Sequence, residues 1–190
     1  IALLQPRSMR ERDNFQPSMT ESLRKSILYF LACCAARHLR GHSNKHMTML
    51  VHTSAYVTAH ERVSALIDGW VDVHRKGLIE RSSAVGQQIE QVWSEEEARL
   101  PLSITNAMPV SIEQIFEIMP TVLEKLEFPI ENGGSNDRID YTNNSKTYIV
   151  VGGSILARGL TLEGLMVSFF LRTADQYDTL LQMGRWFGFR

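Results

Sequence analysis

Arg185 and Arg190 stand near the end of the chain in the string QMGRWFGFR, behind Gln182 and Gly184. Upstream lies a loop that reads Gly152-Gly153-Ser154 and continues to Arg158-Gly159-Leu160-Thr161. Arginine carries a planar, permanently charged fork, and that geometry suits it to stabilising charge that develops on a transferring phosphoryl group. Glycines let a backbone approach a ligand closely. The phosphate-cradling pattern GxxxxGK[ST] occurs nowhere in the sequence, so the lysine and the cradle of a complete nucleotide site are missing. A loop with glycine and arginine after one strand, and paired arginines after the next, is what one lobe needs to embrace a nucleoside triphosphate held by a neighbour.

Two apolar runs, Tyr148 to Val151 and Leu165 to Leu171, would position these groups. Their continuous apolarity predicts strands buried on both faces, as in a parallel sheet covered by helices. Ligands bind at the carboxyl ends of such strands, which is where both loops begin. The second run leads through Arg172, Thr173 and Asp175 into a predicted helix from Gln176 to about Phe187, with Gln182 and Arg185 one turn apart. Upstream, Ser18 stands three residues before Glu21 as a capping box for a helix to about Arg40, stopped by Gly41. Met47 to His52 reads as a buried strand, and Thr53 or Ser54 as the cap of a helix to about Gly77. A polar helix from Ser82 to Arg99 and an amphipathic one from Ile112 to Glu127, capped by Ser111 and kinked by Pro120, make residues 82–127 a helical insertion. Phe128 to Glu131 reads as a short strand, and a turn-rich stretch follows it. The expected class is α/β, a parallel sheet flanked by helices with an inserted helical segment.

At 190 residues and 44% apolar composition the chain can bury one good core, so residues 1–190 are expected to form one domain. Starting at Ile1 and stopping at Arg190 within a motif, it reads as a fragment of a longer protein. No apolar stretch approaches the roughly 20 residues that span a bilayer, and no signal peptide is recognisable. A cytoplasmic protein without membrane contact is expected. Cys33 and Cys34 are adjacent, which disfavours a mutual disulfide. Lysine and arginine outnumber aspartate and glutamate by 8 to 3 in residues 1–50, against 6 to 12 in 51–130 and 6 to 6 in 131–190. Arg7, Arg10, Arg24 and Arg40 at the basic end are therefore candidates for salt-sensitive phosphate contacts with nucleic acid. His38, His42 and His46 recur every four residues near Cys34, but Gly41 breaks the helix that would align them, and no metal site is expected. His52 at a strand end reads as a hydrogen-bonded core or loop residue, and Trp186 and Phe187 as core before base-stacking groups.

Ala157-Arg158-Gly159-Leu160-Thr161-Leu162 resembles the fifth motif of superfamily-two helicases, and Gly184-Arg185 with Arg190 resembles the sixth. More closely, the span from Ile149 to Arg190, together with the N-terminal helix and the strand end from Met49 to Ser54, is similar to the Z-one (Z1) domain family. That family resembles the C-terminal RecA-like lobe of DNA helicases and occurs in large bacterial proteins labelled endonucleases, in restriction-modification or phage-defence systems. The resemblance implies an ATP-dependent, DNA-acting helicase-like enzyme of which this chain is the second lobe. ATP and Mg²⁺ would be held chiefly by the N-terminal ATPase lobe of the same protein, and other subunits of a defence system could be partners. By the same carry-over Gly159, Thr161, Gln182 and Gly184 would meet the nucleotide, and Ser154 and Arg158 the DNA. Arg185 would act as the arginine finger, with Arg190 second. Thr161 stands where many relatives place an aspartate, and Gly153-Ser154 where helicases often carry Thr-Asp. Gln182 and Arg190 depart by one and two positions from the usual spacing. The alternative is a non-catalytic DNA-binding or protein-docking module on the same fold. A nuclease in its own right is disfavoured, because the strand region holds no acidic cluster with a nearby lysine.

Overall fold

The computed structural model describes residues 3–4, 10, 14–53, 57–131, 139, 141–142, 144–153 and 162–171. Helix α1 covers Glu21–Arg37, and Thr20 caps it, its hydroxyl accepting the N–H of Leu23 at 3.2 Å. Ser18, the expected cap, instead donates its N–H to the carbonyl of Leu3, so the chain is still extended at that point. The next turn, His38–His42, is wider than an α-turn and ends the helix at Gly41, whose φ of +83° is open to glycine and strained for other residues. Strand β1, Met47–His52, follows and is buried along its whole length.

Helix α2 spans Val57–Ile79 and α3 Ala84–Arg99, the latter capped by Ser83. The short turn α4, Leu102–Thr105, leads to α5, Ile112–Glu124, where Ser111 and Gln114 form a reciprocal capping box. The amphipathic helix was expected to reach Glu127 but ends at Glu124. Leu126 is buried and pairs with Thr147, and the carbonyl of Lys125 accepts the N–H of Thr147, which draws these residues into the sheet. Leu126–Glu127 is β2 and Ile130–Glu131 is β3. Thr53, one of the two expected helix caps, continues the line of β1 and donates its N–H to Gly152; Ser54 lies outside the described residues.

Strands β4, Thr147–Gly152, and β5, Leu165–Phe170, complete a five-stranded sheet in which every pairing is parallel. The order is β2-β4-β1-β5, with β3 pairing the carboxyl half of β4 in line with β2. The sheet is flanked by helices α1, α2, α3 and α5, giving the α/β arrangement expected of a RecA-like fold. One main core joins α1 (Leu23, Ile27, Phe30, Leu31) to α2 (Val63, Ile67, Val71), α5 (Ile115, Met119, Val122) and the strands (Met49, Val51, Ile149, Val151). Residues 82–127 contribute Ile89, Trp93, Ile115 and Phe116 to that same core. A smaller cluster, Leu50, Tyr148, Val150 and Leu162, lines the other face. Among the described residues no helix is long and apolar enough to cross a membrane.

Candidate functional site at the carboxyl edge of the sheet

Because all strands are parallel, their carboxyl ends share one edge, and the register sets four residues in its last row. Glu131 of β3 pairs with Gly152 of β4, Gly152 with His52 of β1, and His52 with Phe170 of β5. Partners in register present their side chains on the same face of a sheet, and neighbouring strands lie about 4.8 Å apart. Glu131 and His52 are therefore separated by two strand spacings, about 9.6 Å, with a residue that lacks a side chain between them. His52 and Glu131 are buried, Phe170 is 38% exposed, and the rings of His52 and Phe170 lie 5.5 Å apart at a tilt of 44°. One Glu131 carboxylate oxygen, Oε1, accepts the N–H of Ile139 at 3.1 Å and so ties the stretch after β3 back to this edge.

The next residues complete the rim. Thr53 donates its N–H to Gly152 at 2.9 Å, and Leu171 donates to His52 at 3.0 Å, so the ladder extends one step past the strands. The Thr53 side chain is buried, and its Oγ1 has no hydrogen-bond partner among the described residues. A buried hydroxyl without a partner is unfavourable by about 1–3 kcal/mol, which makes this atom the one on the edge most in need of an oxygen acceptor or donor. The sequence put Thr53 forward as the end of a strand and a helix cap, and Glu131 as a strand end. The strand patterns of LEFPIE and MTMLVHT place both at strand ends, but the register that aligns them is not readable from either segment alone.

Ser154 follows Gly153 directly, and the stretch 172–190 follows Leu171, so both expected nucleotide-facing segments leave from this edge by covalent connection. Ser154, Arg158, Gly159, Thr161, Gln182, Gly184, Arg185 and Arg190, with Arg7, lie outside the described residues. Of the expected phosphate contacts, Arg10 is exposed. Arg24 lies along the groove between α1 and α3 with Glu21 and Gln91, and Arg40 donates its Nε–H to the carbonyl of Met108 at 3.0 Å. Arg24 thus borders α3, and Arg40 the α3–α5 connection. Among the described residues no group of three metal-ligating side chains converges. His46 accepts the N–H of Lys146 at Nδ1, and its Nε2–H donates to the Tyr141 carbonyl at 3.2 Å. Burial and the nearby Lys125 ammonium lower the pKa of His38.

Comparison with curated proteins and with solved structures finds no significant match. The family model of the Z1 domain matches residues 22–190, nearly the whole chain and all of the sheet, and the protein belongs to the Z1 domain family.

Proposed function

We propose that this chain is the C-terminal RecA-like lobe of an ATP-dependent, DNA-acting enzyme of the helicase type, a translocating or endonuclease-associated motor in a restriction-modification or phage-defence system. The observation that carries the reading is the shared carboxyl edge: Thr53, Gly153 and Leu171 stand on one rim, and the glycine-arginine loop and the arginine-bearing terminal segment both continue from it. Ligands of open parallel sheets bind at such an edge. In this reading ATP and Mg²⁺ are held by the N-terminal ATPase lobe of the same protein, because the cradle and its lysine are absent from this sequence. Gly159, Thr161, Gln182 and Gly184 border the nucleotide, and Arg185 stabilises charge on the γ-phosphoryl group. Ser154 and Arg158 contact the DNA backbone.

Arg158→Ala tests the edge. If its guanidinium meets a phosphate, the intact protein should bind DNA about tenfold more weakly, the size of one lost charge-assisted hydrogen bond, and the salt dependence of binding should become shallower. DNA affinity unchanged in a well-folded Arg158→Ala protein would remove Arg158 from the contact surface. DNA affinity undetectable in the parent protein would count against the whole reading and favour a protein-docking module.

A further inference from the structure

Phe170 closes the rim row on its β5 side, and its large apolar side chain is 38% exposed. Among the described residues it is the only exposed aromatic. The other exposed large apolar side chains are aliphatic or Met, and none of them lies on a strand. A single exposed apolar side chain on an ordinary surface needs no explanation. At the carboxyl edge of a parallel sheet, where ligands bind, an open aromatic ring is a contact group in position. The strand sorts its two phenylalanines by alternation: Phe169, in register with Val51, packs on the main core, and Phe170 is turned to the opposite face.

Two contacts hold the Phe170 ring in place. The His52 imidazole lies against it, with centroids 5.5 Å apart at a tilt of 44°. Directly after Phe170, the N–H of Leu171 donates to the His52 carbonyl at 3.0 Å and pins the backbone to β1. An aromatic side chain has two torsions, so on a pinned strand little entropy is lost when a flat partner settles on it.

We infer that Phe170, its ring supported by His52, is a stacking platform for a nucleobase. This rests on the reading of the edge as part of an ATP-dependent, DNA-acting lobe, and adds a base contact to the phosphate contacts assigned there. Every base has a π-face, so an aromatic ring accepts any of them. Reading base identity takes polar groups that reach the base edges. In the rim row Glu131 and His52 are buried and Gly152 has no side chain, so the row offers the base a face to lie on and no edge reader. The contact is therefore indifferent to sequence. A base of a DNA strand and the adenine of ATP share this chemistry, and the two are separated by experiment.

The test measures binding to the intact protein by fluorescence anisotropy, with a labelled single-stranded oligonucleotide and, separately, with a ribose-labelled ATP analogue whose adenine is free. Phe170→Ala and Phe170→Leu remove the ring, and Phe170→Tyr keeps it. Loss of one stacked base should weaken one of the two ligands about tenfold in the alanine and leucine variants, while the tyrosine variant binds within about twofold of the parent. An effect confined to the oligonucleotide assigns the ring to a DNA base, and one confined to the analogue assigns it to adenine. On the DNA arm, an abasic oligonucleotide should bind the parent and Phe170→Ala equally. The ratio of parent to variant affinity should also hold between about 50 and about 200 mM salt, since stacking releases no counterions. Should Phe170→Ala fail to fold, Phe170→Leu decides the matter. A folded leucine variant that binds both ligands like the parent would overturn the stacking assignment alone, and equal loss of both ligands with a lowered melting temperature would overturn it as damage to the fold. A parent protein that binds neither ligand would remove the reading of the edge and this inference with it.

Discussion

Gly164 carries the chain into β5 with φ +66°, and a Cβ built there would lie 1.9 Å from the carbonyl oxygen of His46. The neighbouring bonds explain the squeeze: Thr48 donates its N–H to Gly164 at 2.9 Å and its hydroxyl to Glu163 at 2.6 Å, pinning the turn against the start of β1. Gly164→Ala must adopt a left-handed conformation and displace a backbone carbonyl, so a loss of about 2–4 kcal/mol is expected. For a domain of this size that is a fall in melting temperature of about 10 °C, readable by differential scanning calorimetry; a shift below about 2 °C would show that the turn relaxes freely. In the sequence this glycine is one letter in a run that reads RGLTLEGL. Its role became legible only when β1 and β5 were paired, because the atom it must avoid belongs to a residue remote in sequence.

At the scale of elements, local chemistry carried most of the information. The strands were readable from MTMLVH, TYIVV and LMVSFF; β1 and β4 are buried along their length, as their uninterrupted apolar runs imply, whereas β5, expected to be buried on both faces, stands at the end of the strand order and is only half-buried up to the exposed Phe170. The amphipathic repeat gave α1 and α5, and Ser111 gave the start of α5. Two ends were misread for one reason, competition between local and tertiary partners. Ser18 has the capping residue type at the right spacing, yet its N–H is committed to Leu3 and Thr20 takes the cap; Leu126 fits the helical repeat, yet the ladder to Thr147 claims it. Capping energetics make the distinction measurable. Ser111→Ala removes the acceptor for Gln114 and should cost about 1 kcal/mol, or about 3 °C in the thermal midpoint, whereas Ser18→Ala should leave the midpoint within 1 °C. A midpoint for Ser111→Ala that matches the parent would mean that the capping geometry at α5 contributes nothing to stability.

For the whole molecule, the parallel order β2-β4-β1-β5 brings three distant segments to one edge, and the two stretches expected to meet nucleotide continue from it. The helices of residues 82–127 pack on α1 and α2 and build the groove between α3 and α1, so they add a second surface to the molecule without interrupting the sheet. The sequence held the motifs that resemble the family and the strands that precede them; the rim row of Glu131, Gly152, His52 and Phe170 and the cavity beside Trp93 exist only once the elements are packed. The central claim is that this lobe acts on a nucleotide held by its neighbour, and Arg185 tests it most directly. Steady-state ATP turnover by the full-length protein, in the presence of DNA, should fall about 10³-fold in Arg185→Ala, as for other arginines acting across an interface. ATP affinity and the melting temperature should be unchanged, and Arg185→Lys should rescue poorly, because charge survives that change and the planar fork does not. A folded Arg185→Ala protein that turns over ATP at the parent rate would contradict the assignment.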